Sequence, residues 1–345
     1  MKFLCTTILL AFAVLGPPVG AAGSTDPLFQ EDATLDVVIT APLSTLLRAR
    51  PDTPSLAGAF SYREADGTPV ELDIEIQARG NFRLRNCDLP PLNLNFRKAQ
   101  VAGTLLDHQN KLKMVVRCKD SLRYEQSVLR EYLAYRFLNS LTDSSFRVRL
   151  LQVTYVDSDE RISRMVRSAF LIEHKNRLSA RIGRKVLDIE QTEIGSIQPD
   201  YLNLTSMFQF LIGNTDFSPN LGSDNKCCHN HEMFGNDGDL LLAIPYDFDM
   251  AGFVNAPYAA PDPELGIENV RQRLYQGYCV NNGYVEGSIA RLKQAREELY
   301  ALVADQQELE PSVRQSIASY MDEFYEIIAN PEEVERQIVG KCIGP

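Results

Sequence analysis

Apolar and polar residues alternate along much of the first half of the chain, which is the pattern of β-strands with one buried face. Asp66-Gly67 separates two of these runs and is a signal for a β-hairpin. The pattern predicts a mostly antiparallel sheet, with strands that begin at Leu35 and lie within 59–63, 70–79, 92–96, 112–116, 146–155 and 168–172.

One helix interrupts the strands, and helices dominate the rest of the chain. Apolar residues recur at helical spacing over 121–141, and the pattern is again helical from Tyr201 onward. Two amphipathic segments, 285–303 and 313–329, are bordered by Pro311 and Pro331, which favour helix boundaries. The chain is therefore predicted to be α+β, with a boundary in the polar, basic stretch at 173–184.

The first 22 residues have the features of a secretory signal. Lys2 supplies a positive start, residues 3–15 form an apolar core, and Gly20-Ala21-Ala22 offers a small-residue cleavage site. No later run reaches the roughly 18 apolar residues that a spanning helix needs. We expect an exported protein, periplasmic or extracellular, whose mature chain has no transmembrane segment.

Charge and cysteine content narrow the class of protein further. The net charge of −11 argues against a nucleic-acid-binding surface. Six cysteines follow the signal, and an even number in an exported chain indicates up to three disulfides, for which 15 pairings exist. We favour Cys87 with Cys118, because both flank a strand-like stretch and would close a loop of about 30 residues, worth roughly 3–4 kcal/mol.

The most informative segment follows the apolar run at 208–212. Gly213 ends that run and places Asn214-Thr215-Asp216 in a loop. A predicted hairpin, with strands at 231–234 and 240–244, then leads into Tyr246-Asp247-Phe248-Asp249. Phosphoryl transfer requires such groups: one carboxylate for the acceptor hydroxyl, and amide and carboxylate oxygens for magnesium on the nucleotide phosphates.

These residues resemble known kinase motifs. The order Asp216, Asn230, Asp247-Phe248 is similar to the catalytic-loop Asp, metal Asn and DFG Asp of protein-kinase-like folds. The closer resemblance is to the CotH kinase family of spore-coat and other secreted proteins, with HipA-like kinases more distant. Arg79-Gly80-Asn81 resembles that family's RGN strand end, and residues 129–135 resemble its LRN-x-LAY helix. The resemblance covers roughly residues 35–300.

The resemblance implies a protein-kinase-like two-lobe fold. An antiparallel β N-lobe with one helix would span 35–184, and a mainly helical C-lobe would span 185–345. Asp216 would be catalytic, and Asn230 with Asp247 would hold Mg²⁺ or Mn²⁺. Asp249 replaces the Gly of the motif, and either holds a second ion or caps a turn. Asn220 is an alternative to Asn230, but Asn230 directly precedes the hairpin.

The nucleotide side of the predicted cleft is less specific. No G-x-G-x-x-G loop is present in the first strands, and Lys113 and Arg79 are alternative cations for the ATP phosphates. Glu131 or Glu125 on the following helix would pair with that cation. The backbone near Glu173 would be the hinge that meets adenine.

Two functional hypotheses follow from the resemblance. The first is a secreted atypical kinase that transfers phosphate from ATP to an unidentified protein or another hydroxyl acceptor. The alternative is an exported pseudokinase that acts as a binding or envelope-assembly module without catalysis. Zinc at 227–231 is disfavoured because adjacent ligands bind one ion poorly. A serine hydrolase is disfavoured because no G-x-S-x-G is present.

Overall fold

The computed structural model describes residues 26–50, 52, 54–222 and 227–344. The predicted signal at 1–22 lies outside these residues. The strands are β1 Leu35–Ala41, β2 Leu56–Arg63, β3 Pro69–Ala78, β4 Leu92–Phe96, β5 Lys111–Val116, β6 Val148–Asp157, β7 Met165–Ile172, β8 Lys185–Leu187, β9 His231–Gly235 and β10 Leu242–Pro245. The helices are α1 Leu43–Arg48, α2 Phe82–Asn86, α3 Lys98–Val101, α4 Leu122–Leu141, α5 Lys175–Ile182, α6 Pro199–Ile212, α7 Val285–Asp305, α8 Pro311–Ala329 and α9 Pro331–Gln337.

Seven strands close into a barrel in the order β1-β2-β3-β4-β5-β7-β6. The barrel is mixed, because β1 pairs antiparallel with β2 but parallel with β6, from Leu35 opposite Leu151 to Ala41 opposite Asp157. The expected two-lobe protein-kinase-like fold with an antiparallel N-lobe is therefore wrong. The alternating pattern identifies a strand and its buried face, but it does not identify a partner more than a hundred residues away.

Most of the individual elements agree with the sequence pattern. The hairpin predicted around Asp66-Gly67 is β2–β3, and Gly67 has the positive φ of 85° that such a turn requires. Helices α4, α7 and α8 lie where apolar periodicity placed them. The boundary stretch at 173–184 instead contains α5, whose last turn is followed by Gly183 at a φ of 67°.

The described residues form two large apolar cores, and helix α4 belongs to one of them. One core fills the barrel and includes Ile39, Phe60 and Leu94. The other joins α4 to the outer faces of β6 and β7 and to α6, α7 and α8. Strands β6 and β7 contribute to both cores, and the last four residues of β7, 169–172, are consecutive buried apolar residues.

A three-stranded antiparallel sheet, in the order β10-β9-β8, follows the barrel. Its β9–β10 hairpin is the one predicted from the sequence. Helix α6 ends at Gly213, which adopts a left-handed conformation with a φ of 61°. The chain then turns into the loop that carries Asp216, so α6 and the hairpin together position the predicted catalytic segment.

The structure joins Cys87 to Cys118, the pair favoured from the sequence. This bond ties the β3–β4 connection to the end of β5. Cys279 pairs with Cys342 across 63 positions of sequence, and the neighbours Cys227 and Cys228 pair with each other. Within the described ranges, no helix has both the length and the apolar character needed to cross a membrane.

Candidate functional site

A polar cleft of about 740 Å³ lies between the β3–β4 connection and the loops that flank the β9–β10 hairpin. It brings together five residues predicted from the sequence, on segments far apart in the chain. These are Arg79, Asp216, Asn230, Asp247 and Asp249.

The buried guanidinium of Arg83, on α2, lies at the acidic end of this cleft. Arg83 is 8% exposed and contacts Asp247 at 2.9 Å, Asp249 at 3.3 Å and Glu131 at 3.5 Å. One positive charge therefore faces three carboxyl groups. If all three are ionised, the cluster carries two uncompensated negative charges in a largely buried environment.

The protonation of this cluster reflects its burial. Burial raises the pKa of Glu131 well above its ordinary value, although Arg83 acts in the opposite direction. Burial raises the pKa of Asp249 to about 6, again against the influence of Arg83 and with a further contribution from Asp247. Tyr258 also donates a hydrogen bond to Asp249 at 2.9 Å.

The cluster offers carboxylate oxygens, which are the ligand type that Mg²⁺ prefers. Oε1 of Glu131 is buried and has no hydrogen-bond partner among the described residues. The described residues contain no group of three or more His, Cys, Asp or Glu arranged to hold a metal ion. Mg²⁺, however, is usually held by one or two carboxylates together with substrate phosphates, so a complete cage of protein ligands is not required.

Asp216 is held in the cleft by the residues just before β9. Its carboxylate lies 2.7 Å from Nε2 of His229 and accepts a hydrogen bond from Asn230 at 3.1 Å. The Asn230 amide also donates to the Asp216 carbonyl at 2.7 Å. The hydrogen bond with Asp216 raises the pKa of His229. His229 and Asn230 together therefore fix the orientation of the Asp216 carboxylate.

Asn230 and Asp247 both have left-handed backbones, with φ of 55° and 62°. The two positions lie across the hairpin ends, where the Tyr246 amide donates to the Asn230 carbonyl at 3.0 Å. The Asp247 amide donates to the Tyr135 hydroxyl of α4 at 2.8 Å. Such conformations cost energy in L-residues and persist where surrounding contacts enforce them, often at functional sites.

The two candidate phosphate cations lie close to one another. Arg79 lines the cleft, and its backbone amide donates to the Pro91 carbonyl at 2.8 Å, whereas its guanidinium has no hydrogen bond or ion pair among the described residues. Lys113, on β5, has its Nζ 4.7 Å from the ring centroid of Tyr246, which also lines the cleft. Burial and the nearby Arg79 lower the pKa of Lys113.

Glu131 forms its ion pair with Arg83, a residue that the sequence analysis did not consider. Arg83 lies only four positions after Arg79, but its helix is five residues long and has no recognisable periodicity. From the sequence, Glu131 is expected to pair with Lys113 or Arg79. Its partner in the structure is Arg83.

Three other candidates lie elsewhere. Glu125 forms an ion pair with Arg117 at 3.4 Å, and Asn220 accepts a hydrogen bond from Tyr278. Glu173 is buried against Arg181, and its backbone amide donates to the Arg147 carbonyl at 2.9 Å. The structure therefore does not bring Glu173 to the cleft, and its amide already has a protein partner.

No protein-family model matches the chain, and no curated protein matches it significantly. The function is inferred below from the cleft itself.

Proposed function

We propose that this exported protein is an atypical kinase, which binds ATP with Mg²⁺ or Mn²⁺ in the cleft and phosphorylates a hydroxyl group of a protein or other acceptor. One observation carries the proposal: Asp216, Asn230 and Asp247 line a single cleft whose acidic end carries more negative than positive charge. The resemblance to the CotH kinase family favours the same reaction.

Asp216 is the proposed general base. Its carboxylate is partly exposed and already fixed by His229 and Asn230, so an acceptor hydroxyl in the cleft can donate its proton to it. The acceptor oxygen forms a bond to the terminal phosphorus, the bond from that phosphorus to the bridging oxygen breaks, and nucleoside diphosphate leaves. Orientation and electrostatic stabilisation supply most of the rate enhancement in reactions of this class.

Asn230, Asp247 and Asp249 are the proposed holders of the divalent cation, which neutralises phosphate charge when bound. The guanidinium of Arg79 has no described hydrogen bond or ion pair, and Arg79 lines the cleft, where this group can bind phosphate oxygens. Arg83 positions Asp247 and Asp249 through ion pairs and links them to Glu131 on α4.

A second candidate function is an exported binding module without catalysis. The observation that favours it is the direct ion pair between Arg83 and Asp247 at 2.9 Å, which neutralises the carboxylate without a metal ion. In this alternative the cleft recognises a partner or an envelope component, and Asp216 has a structural role in the loop after α6.

Calorimetric ATP affinity with and without Mg²⁺ or Mn²⁺ tests the proposal, together with transfer of labelled phosphate to the protein itself and to casein. We expect Asp247→Ala to abolish metal-dependent ATP binding, because it removes the carboxylate that holds the cation. Asp216→Ala should retain binding and lose transfer. Asp249→Ala should resemble Asp247→Ala if two ions bind, and should be milder if Asp249 only caps a turn.

Asp237→Ala is the matched control, since Asp237 lies fully exposed in the turn of the same hairpin. It should change neither binding nor transfer. ATP at 100 times its dissociation constant should also stabilise the wild type by about 2.7 kcal/mol. If the wild type binds no ATP at any metal concentration, the kinase proposal fails and the binding module remains.

A further inference from the structure

A second cavity, of about 210 Å³, lies at the barrel rim where β5 ends and β7 begins. It shares no lining residue with the polar cleft. Its apolar walls come from α1, the β3–β4 connection, the segment before β7 and the first residue of β7, and they include Leu43, Leu47, Leu89, Ile162 and Met165. Exposed residues such as Lys119 border it, so the cavity opens to the surface.

The polar groups of this cavity include two buried hydrogen-bond donors without a described protein partner. Tyr155 is 1% exposed, and its hydroxyl has no hydrogen-bond partner among the described residues. The same holds for Nε of Arg167. Burial raises the pKa of Tyr155, so its hydroxyl keeps its proton. A buried donor of this kind favours a ligand that supplies an acceptor.

The charges around the hydroxyl are already balanced. Arg117 forms ion pairs with Asp120 and with Glu125, and Arg167 forms an ion pair with Asp120 at 3.1 Å. Two guanidinium groups thus face two carboxylates. The remaining charged residues at the rim, Asp88 and Lys119, are exposed and of opposite sign. An ionic ligand would bring an uncompensated charge against apolar walls, which is unfavourable.

We propose that this cavity binds a small neutral molecule that is apolar over most of its surface and carries one acceptor, such as a ketone or ester carbonyl. The carbonyl oxygen accepts the hydrogen bond of the Tyr155 hydroxyl, and the apolar part contacts Leu47, Ile162 and Met165. The volume is smaller than that of pockets for drug-sized ligands, roughly 300–1,000 Å³, so the ligand is about the size of one substituted ring. Mouths of β-barrels commonly hold such sites.

Three probes of similar size distinguish the effects of apolar contact, of a carbonyl acceptor and of a negative charge. They are ethylbenzene, acetophenone and benzoate. Their affinities for the disulfide-intact protein can be measured by ligand-observed NMR titration. We expect acetophenone to bind about 2- to 12-fold more tightly than ethylbenzene, the contribution of one hydrogen bond, and benzoate to bind most weakly. Tyr155→Phe should reduce acetophenone to the affinity of ethylbenzene and leave ethylbenzene unchanged.

The controls test location and folding. Tyr300→Phe, on α7 and outside the cavity, should change no affinity, whereas Met165→Trp should fill the cavity and remove binding of both neutral probes. Leu47→Trp, at a half-buried wall position, repeats this test if Met165→Trp does not fold. The proposal is overturned if no probe binds, if benzoate binds most tightly, or if Tyr155→Phe retains the preference for acetophenone.

Discussion

Arg83 connects three segments that are distant in sequence: α2, the middle of α4 and the loop after β10. Its ion pairs are largely buried, so they are screened little by solvent. Removing one partner from a buried charge cluster leaves the others uncompensated, and this is far more costly than the net contribution of the intact pair.

Arg83→Met should therefore lower the free energy of unfolding by about 3–5 kcal/mol, because three carboxyl groups lose their shared cation. Denaturant titration measures the change. Arg79→Met is the matched control, since Arg79 lies in the same cleft but has no described ion pair, and its effect should be below about 1 kcal/mol. Equal losses in the two variants would contradict the role assigned to Arg83.

His231 predicts a pH dependence of stability. Burial lowers the pKa of His231 to about 4, whereas an unfolded histidine titrates near 6.5. Between these values the unfolded state binds more protons, so the contribution is complete above about pH 6.5 and is lost as pH falls toward 4.

Between pH 7.5 and pH 5, His231 should account for about 2 kcal/mol of lost stability. The His231→Phe variant should lose correspondingly less unfolding free energy than the wild type over the same pH interval, because phenylalanine cannot be protonated. The comparison uses the change between the two pH values within each protein. Loss of the His231 hydrogen bond to the His229 carbonyl acts at both pH values and therefore cancels. Parallel pH profiles for wild type and variant would contradict the prediction.

At the scale of elements, the end of α6 determines where Asp216 lies. Gly213 combines a positive φ with close packing, because an added Cβ would collide with the Tyr320 hydroxyl of α8. Gly183, at the end of α5, has a similar φ but no atom within 4 Å of an added Cβ.

These two glycines form a matched pair. Gly183→Ala should cost about 1 kcal/mol, the penalty of the left-handed conformation alone. Gly213→Ala should cost clearly more and should also alter the cleft, because relief of the collision moves the loop that carries Asp216. Unfolding free energies and the NMR titration of His229 check these outcomes. Equal losses of unfolding free energy in the two variants would show that the Tyr320 side chain moves aside at no energetic cost.

The sequence predicted those elements whose pattern is long and regular. Alternation over β2 and β3 with Asp66-Gly67 between them, and apolar periodicity over α4, were sufficient for correct placement. Helix α2 could not be predicted, because five residues give no usable period, and the partner of Glu131 was missed with it. The parallel pairing of β1 with β6 was missed because local patterning contains no information about distant partners.

Part of the candidate site could be predicted from the sequence, because some of its residues lie next to strong local signals. Asp216, Asn230 and Asp247 lie at the ends of elements with strong local signals, Gly213 and the hairpin turn, and they do meet in one cleft. Glu173 depended on the expected kinase fold rather than on a local signal. It lies away from the cleft because the barrel, rather than an N-lobe, organises that part of the chain.

At the scale of the whole molecule, two disulfides close long loops. The separations of 31 residues for Cys87–Cys118 and 63 residues for Cys279–Cys342 correspond to about 4 kcal/mol each in the chain-entropy account. A Cys87→Ser/Cys118→Ser variant and a Cys279→Ser/Cys342→Ser variant should each lose about that much in denaturant unfolding. Cys227→Ser/Cys228→Ser should have little effect, since that pair encloses no loop. A comparable loss of stability in the Cys227→Ser/Cys228→Ser variant would contradict an entropic origin of the stabilisation by the two long-loop disulfides.

Closure of the barrel has a consequence for the order in which the chain can fold. Strand β1 forms hydrogen bonds with β6, which ends at Asp157, and the barrel closes only when β7, completed at Ile172, pairs with both β5 and β6. Until then a chain emerging from a ribosome or a translocation channel presents the exposed edges of an incomplete sheet, on which foreign strands can pair. Non-local pairing of this kind slows folding. The nascent protein therefore has a long interval in which a chaperone would protect it, and this interval ends when β7 pairs with β5 and β6 and fills the last gap in the sheet.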